Sequence, residues 1–123
     1  VKGKLEKVSY EDFVFACRKI TDRAKNFNID SVFGIPRGGL VPAVYIAHML
    51  NVPLNGFKIN GKNPLVVDDI ADTGQTLKPY KTFDYKIATI YYHKQSVVEP
   101  DIWIYEKKDD WILFPWETEK STK

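Results

Sequence analysis

From Leu65 the chain reads Leu-Val-Val-Asp-Asp-Ile-Ala-Asp-Thr-Gly-Gln-Thr-Leu, an apolar run that leads straight into two adjacent acids and then turns through a glycine. The run predicts a strand over Leu65 to Asp69, and the turn at Asp72 to Gln75 predicts a short helical segment over Thr76 to Phe83. In an open parallel sheet, ligands sit beyond the carboxyl ends of the strands, so Asp68 and Asp69 are expected at the mouth of a crevice. Neighbouring strand residues point to opposite faces, and a bend over Ile70 to Gly74 is needed for both acids to serve one site. Asp72, Thr73, Gly74, Gln75 and Thr76 combine a glycine, two hydroxyls and the start of a helix. Free amides and the positive end of a helix dipole suit a phosphate dianion.

The rest of the chain supplies the matching layers. Ser9 before Tyr10, Glu11 and Asp12 forms an N-cap signature, and Phe13, Cys17, Ile20 and Ala24 recur at helical spacing, which predicts a helix from Tyr10 to Asn26. The apolar run Ile29 to Ile35 leads through Pro36, Arg37, Gly38 and Gly39 into a helical stretch, Leu40 to Leu50. Further strands are expected over Pro53 to Ile59, Ile87 to Tyr92 and Ile102 to Tyr105, followed by an aromatic tail from Trp111 to Trp116. Strands alternating with helices imply an α/β fold, an open, mainly parallel, twisted sheet with helices on both faces. At 123 residues the chain is expected to form a single domain, 1–123, ending in a small hood segment.

Charge and cysteine usage narrow the function classes. With 18 basic and 16 acidic residues, the formal charge of +2 is too balanced to favour nucleic acid or an anionic membrane as the main partner. The single Cys17 lies in an apolar pattern and reads as a buried structural thiol. These features predict a soluble cytoplasmic protein. Tyr91, Trp103 and Trp116 read as exposed aromatics, which favours a homodimer or larger homo-oligomer.

Leu65 to Leu77 resembles the phosphoribosyl-diphosphate motif of type I phosphoribosyltransferases, with its apolar strand, acid pair and Asp-Thr-Gly-x-Thr loop. The resemblance implies that Asp68 and Asp69 hold the ribose hydroxyls of phosphoribosyl diphosphate, directly or through Mg2+. It implies too that Asp72, Thr73, Gly74, Gln75 and Thr76 wrap the 5′-phosphate, with Asp72 as the general base near the purine's imidazole nitrogen. Gly34 to Leu40 stands where the family places its diphosphate turn. There Gly38 and Gly39 admit the backbone to the phosphate oxygens, Arg37 offers a charged fork, and the Pro36–Arg37 peptide is expected to be cis.

The tail Asp110-Trp111-Ile112-Leu113-Phe114-Pro115-Trp116-Glu117 resembles the bacterial xanthine-guanine branch. By that resemblance Trp111 stacks on the purine, the backbone of Ile112 meets the ring edge, and Glu117 assists Mg2+. Lys94, at the end of Ile90-Tyr91-Tyr92-His93-Lys94, is expected to donate to the purine's 6-oxo oxygen and to disfavour adenine. The implied activity is Mg-dependent transfer of phosphoribosyl from phosphoribosyl diphosphate to hypoxanthine, guanine or xanthine in purine salvage. One departure from the family is evident: only Asn60 to Pro64 separates Ile59 from Leu65, too little for the family's mobile lid. The shortened lid opens a second reading, a non-catalytic module that senses phosphoribosyl diphosphate or a nucleotide.

Overall fold

The computed structural model describes residues 3–119, so residues 1–2 and 120–123 of the expected domain lie outside the described residues. In chain order the elements are β1 (Leu5–Lys7), α1 (Tyr10–Ala24), a 3-10 turn (Lys25–Phe27), β2 (Ser31–Gly34), α2 (Leu40–Leu50), β3 (Pro64–Ala71), α3 (Lys78–Thr82), β4 (Lys86–His93), β5 (Ile102–Lys107) and β6 (Trp111–Leu113). Helix α1 begins at Ser9, whose hydroxyl accepts the Asp12 N–H at 3.0 Å, with Glu11 and Asp12 in the first turn. The 3-10 turn ends the helical stretch at Asn28 and α2 ends at Asn51, two left-handed residues at φ 56° and 57° of the kind that stop helices.

Strands β2, β3, β4 and β5 form one parallel sheet in that order. Alternation along β3 divides its side chains between two cores. Leu65 and Val67 pack with Phe13 and Ile20 of α1 and Ile46 of α2, while Val66 packs with Phe33, Ile87 and Leu77 beneath Tyr80 of α3. Helices therefore cover both faces, as the sequence pattern implies. Cys17 is fully buried in the first core, and burial pushes its thiol up to about 12, leaving it inert.

Two elements differ from expectation. The strand expected over Pro53 to Ile59 is reduced to a single parallel bridge between Leu54 and Val32. After Asn55 donates its N–H to the Val32 carbonyl at 2.7 Å, the chain folds back toward the amino end of β2. There Ser31 Oγ donates to the Asn60 carbonyl at 2.7 Å, and the N–H groups of Lys62 and Asn63 donate to the Asp30 carboxylate at 2.8 and 3.1 Å. Helix α3 spans Lys78 to Thr82 only; the residues expected to start it, Thr76 and Leu77, remain in turns.

The residual bridge still sets the topology. Leu54 lies on the outer side of β2 and β3 on the inner side, so the chain moves outward after β2 and then crosses back. That reversal makes the crevice between the carboxyl ends of β2 and β3 the switch point of the sheet, where ligands bind. A second, two-stranded parallel sheet pairs β1 with β6, Leu5 opposite Trp111 and Lys7 opposite Leu113. It forms the hood, tied to the main sheet by Tyr91, whose hydroxyl donates to Glu6 at 2.9 Å. Tyr91 is thus buried within the chain, not exposed, and Trp116 packs against Phe13 and Phe114.

Candidate active site

A cleft of about 640 Å³ opens at the switch point, a size suited to a nucleotide-scale ligand. The turn after β2 supplies Pro36, Arg37 and Gly38; the end of β3 supplies Asp68 and Asp69; Asp72 and Thr76 come from the loop that follows, and the hood closes one side with Ile112, Trp116 and Glu117. The first turn holds its shape because Ile35 N–H donates to the Val67 carbonyl at 2.9 Å and Gly39 N–H to the Ile35 carbonyl at 2.8 Å. The Pro36–Arg37 peptide is cis. Gly38 lies directly against the Asp69 carboxylate, so that any side chain there would collide with it.

Strand β3 runs through both acids before it bends. Asp68 pairs with Thr89 and Ile70 with Tyr91 in the ladder, while the N–H groups of Asp69 and Ile70 donate to the carboxylates of Asp68 and Asp69 at 2.9 and 2.8 Å. These local side-chain bonds compete with regular pairing and bring the two carboxyls together at one mouth. Burial, and then the adjacent Asp69 charge, push the Asp68 carboxyl up to about 9. Both causes favour the protonated form of Asp68.

Asp72 is half exposed, and its Oδ1 accepts a hydrogen bond from Gln95 Nε2 at 3.0 Å and lies 3.7 Å from Lys107 Nζ. Beyond it the loop turns at Gly74, φ 84°, where the backbone of Val97 and Val98 and the Ser96 hydroxyl press close. Val97 N–H donates to the Thr73 carbonyl at 2.8 Å, fastening the loop to the turn after β4. With α3 beginning later than expected, it is this loop of amides and hydroxyls that stands ready for an anion.

The cleft gathers Arg37, Gly38, Asp68, Asp69, Asp72, Thr76, Ile112 and Glu117 from the residues the sequence singles out. Gly39, Thr73, Gly74 and Gln75 shape its turns without lining it. Lys94 and Trp111 stand elsewhere. The Lys94 side chain is 78% exposed and paired with Glu106 at 3.6 Å, and Trp111 occupies an exposed position of β6, alternate to the inward Ile112. In their place the cleft holds Lys107 and Trp116. Lys107 ends β5 at the carboxyl edge of the sheet, two residues beyond the strand expected from the sequence.

The acid pair fits Mg2+ by its donor chemistry, since hard carboxylate oxygens suit the ion and it commonly takes one or two carboxylates with the rest from substrate phosphates and water. Among the described residues no three His, Cys, Asp or Glu side chains come together to hold a metal. Glu117, which the resemblance links to Mg2+, lines the same cleft and accepts the Phe114 N–H at 2.9 Å through Oε1. Asp68 and Asp69 are the residues that would hold the ion. Among the described residues no helix is long and apolar enough to cross a membrane.

The phosphoribosyl transferase domain model matches residues 54–121. A xanthine-guanine phosphoribosyltransferase from Desulfotalea psychrophila is 33% identical, the match spanning 72% of this chain and 70% of that protein. One from Nitratidesulfovibrio vulgaris is 32% identical, over 72% and 69% of the two chains. Among solved structures, a purine phosphoribosyltransferase from Pyrococcus horikoshii superimposes with a TM-score of 0.81 at 26% identity, covering 93% of this chain and 95% of that one.

Proposed function

Because the chain belongs to the phosphoribosyltransferase family, we propose that it transfers the phosphoribosyl group of phosphoribosyl diphosphate to a 6-oxopurine, giving a nucleoside monophosphate and diphosphate. The observation that carries this reading is the convergence on one cleft of Arg37 from the first turn with Asp68, Asp69, Asp72 and Thr76. A cation, an acid pair and a polar loop suit, in turn, a diphosphate, a vicinal diol and a 5′-phosphate. The two curated relatives named above, both xanthine-guanine phosphoribosyltransferases, support a 6-oxopurine such as guanine or xanthine as acceptor.

In this reading a purine ring nitrogen attacks the anomeric carbon, the bond to diphosphate breaks, and the nitrogen's proton passes to Asp72. Arg37 and the amides around Gly38 offset charge on the departing diphosphate. Asp68 and Asp69 would hold Mg2+, which when bound would supply positive charge against the leaving diphosphate. Asp68 and Asp69 also orient the ribose, the Thr73 to Thr76 loop fixes its phosphate, and Ile112 with Trp116 forms the wall beside the base. Lys94 and Trp111 take no direct part.

The test is to supply phosphoribosyl diphosphate and Mg2+ with hypoxanthine, guanine, xanthine or adenine in turn and to follow diphosphate release. Release with one or more 6-oxopurines and little with adenine is the expected result. Preference for adenine would overturn the assigned substrate class.

A further inference from the structure

We propose that Gln95 and Lys107 are positioning residues for Asp72, together holding one oxygen of its carboxylate so that the other is presented to the purine nitrogen. The inference rests on the reading of Asp72 as proton acceptor. Both contacts fall on the same atom: Gln95 Nε2 donates to Oδ1 at 3.0 Å, and Lys107 Nζ lies 3.7 Å from it. They come from separate elements. Lys107 is the last residue of β5, opposite His93 of β4, and Gln95 sits in the turn after β4, where its own N–H donates to His93 Nδ1 at 3.1 Å. That bond ties the turn back to the strand and fixes the base of the Gln95 side chain.

The setting of Lys107 separates it from an ordinary surface lysine. Its side chain is only 12% exposed, against 78% for Lys94 in its pair with Glu106. With its stem covered, its ammonium meets the Asp72 carboxylate and the Lys108 carbonyl, to which it donates at 3.2 Å. An aspartate on a turn is free to rotate about its side-chain bonds. A directional amide and an ammonium held on one oxygen remove that freedom and leave the other oxygen turned to the cleft.

The experiment measures kcat and KM for Gln95→Leu, Lys107→Met and Lys107→Arg, each in the parent and in Asp72→Asn. In the parent background, Gln95→Leu and Lys107→Met are expected to lower kcat about ten-fold or more, the scale of one hydrogen bond to a charged group, with both KM values held within roughly two-fold. Lys107→Arg, which keeps the charge, should recover part of the loss. In Asp72→Asn neither substitution should slow the enzyme further, because residues that act only through Asp72 lose their effect once it is gone. Raised KM at unchanged kcat would make these residues substrate contacts and overturn the proposal. So would a full additional loss in Asp72→Asn when that variant is itself slow. If Asp72→Asn alone turned over like the parent, the assignment of Asp72 would fall first, and the proposal with it.

Discussion

Replacing Asp68 by asparagine should stabilise the ligand-free protein, and by an amount that grows with pH. The carboxyl is buried and lies beside Asp69, which pushes it from the ordinary 3.8 up to about 9. Between those two values the folded chain keeps a proton that the unfolded chain has released, so native stability falls as pH rises through this window. The slope is about 1.4 kcal/mol per pH unit for one such group. From pH 5 to pH 7 the parent should therefore lose on the order of 2 to 3 kcal/mol relative to Asp68→Asn, which has no proton to release. Urea denaturation of both proteins at pH 5, 6 and 7 measures the difference directly, with the slope on denaturant checked for constancy. The same substitution should weaken binding of phosphoribosyl diphosphate with Mg2+. Stability curves that stay parallel across this range would show that Asp68 is ionised in the empty site, and the argument from burial would fail.

Gly38→Ala should raise KM for phosphoribosyl diphosphate by roughly ten-fold or more in steady-state assays, because the new Cβ would displace the Asp69 carboxylate; an unchanged KM would remove the Gly38 and Asp69 contact from substrate binding. Trp116→Ala should raise KM for the base more than Trp111→Ala does, since Trp116 lines the cleft and Trp111 does not; the reverse order in a base titration would return the stacking role to Trp111. Asn63→Ala should cost about 1 to 2 kcal/mol in a denaturation experiment with little effect on kcat, since its side chain donates to the Phe27 and Asn28 carbonyls and fastens the short connection far from the cleft.

The parts of this architecture legible in the sequence are those set by local pattern. The Ser9 cap, the α2 span from Leu40 to Leu50 and the acid pair at the end of β3 follow from composition and period over a few residues. The strand expected over Pro53 to Ile59 fails because only Leu54 finds a partner, while Asn55 and Asn60 hydrogen-bond back toward Ser31 and leave Phe57 fully exposed. Strand β1 carries no strand signature in Leu-Glu-Lys and exists because β6 lies beside it. Lys107 and Trp116 reach the cleft through the placement of β5 and the hood, and spacing along the chain does not encode such tertiary placement. Trp111 illustrates the same limit: the motif marks the segment, but strand alternation turns Ile112 inward and Trp111 out.

The connection between Leu54 and β3 sharpens what has to be measured, because its Asn60 and Lys62 are hydrogen-bonded to Ser31 and Asp30 at the amino end of β2, away from the cleft. A single-turnover experiment, with protein in excess over labelled phosphoribosyl diphosphate in the presence of Mg2+ and guanine, xanthine or hypoxanthine, follows the fate of the ribose. The account predicts labelled nucleoside monophosphate as the main product, formed by transfer to the base. Labelled phosphoribosyl diphosphate bound and unchanged with every base, or converted only to ribose 5-phosphate, would contradict it.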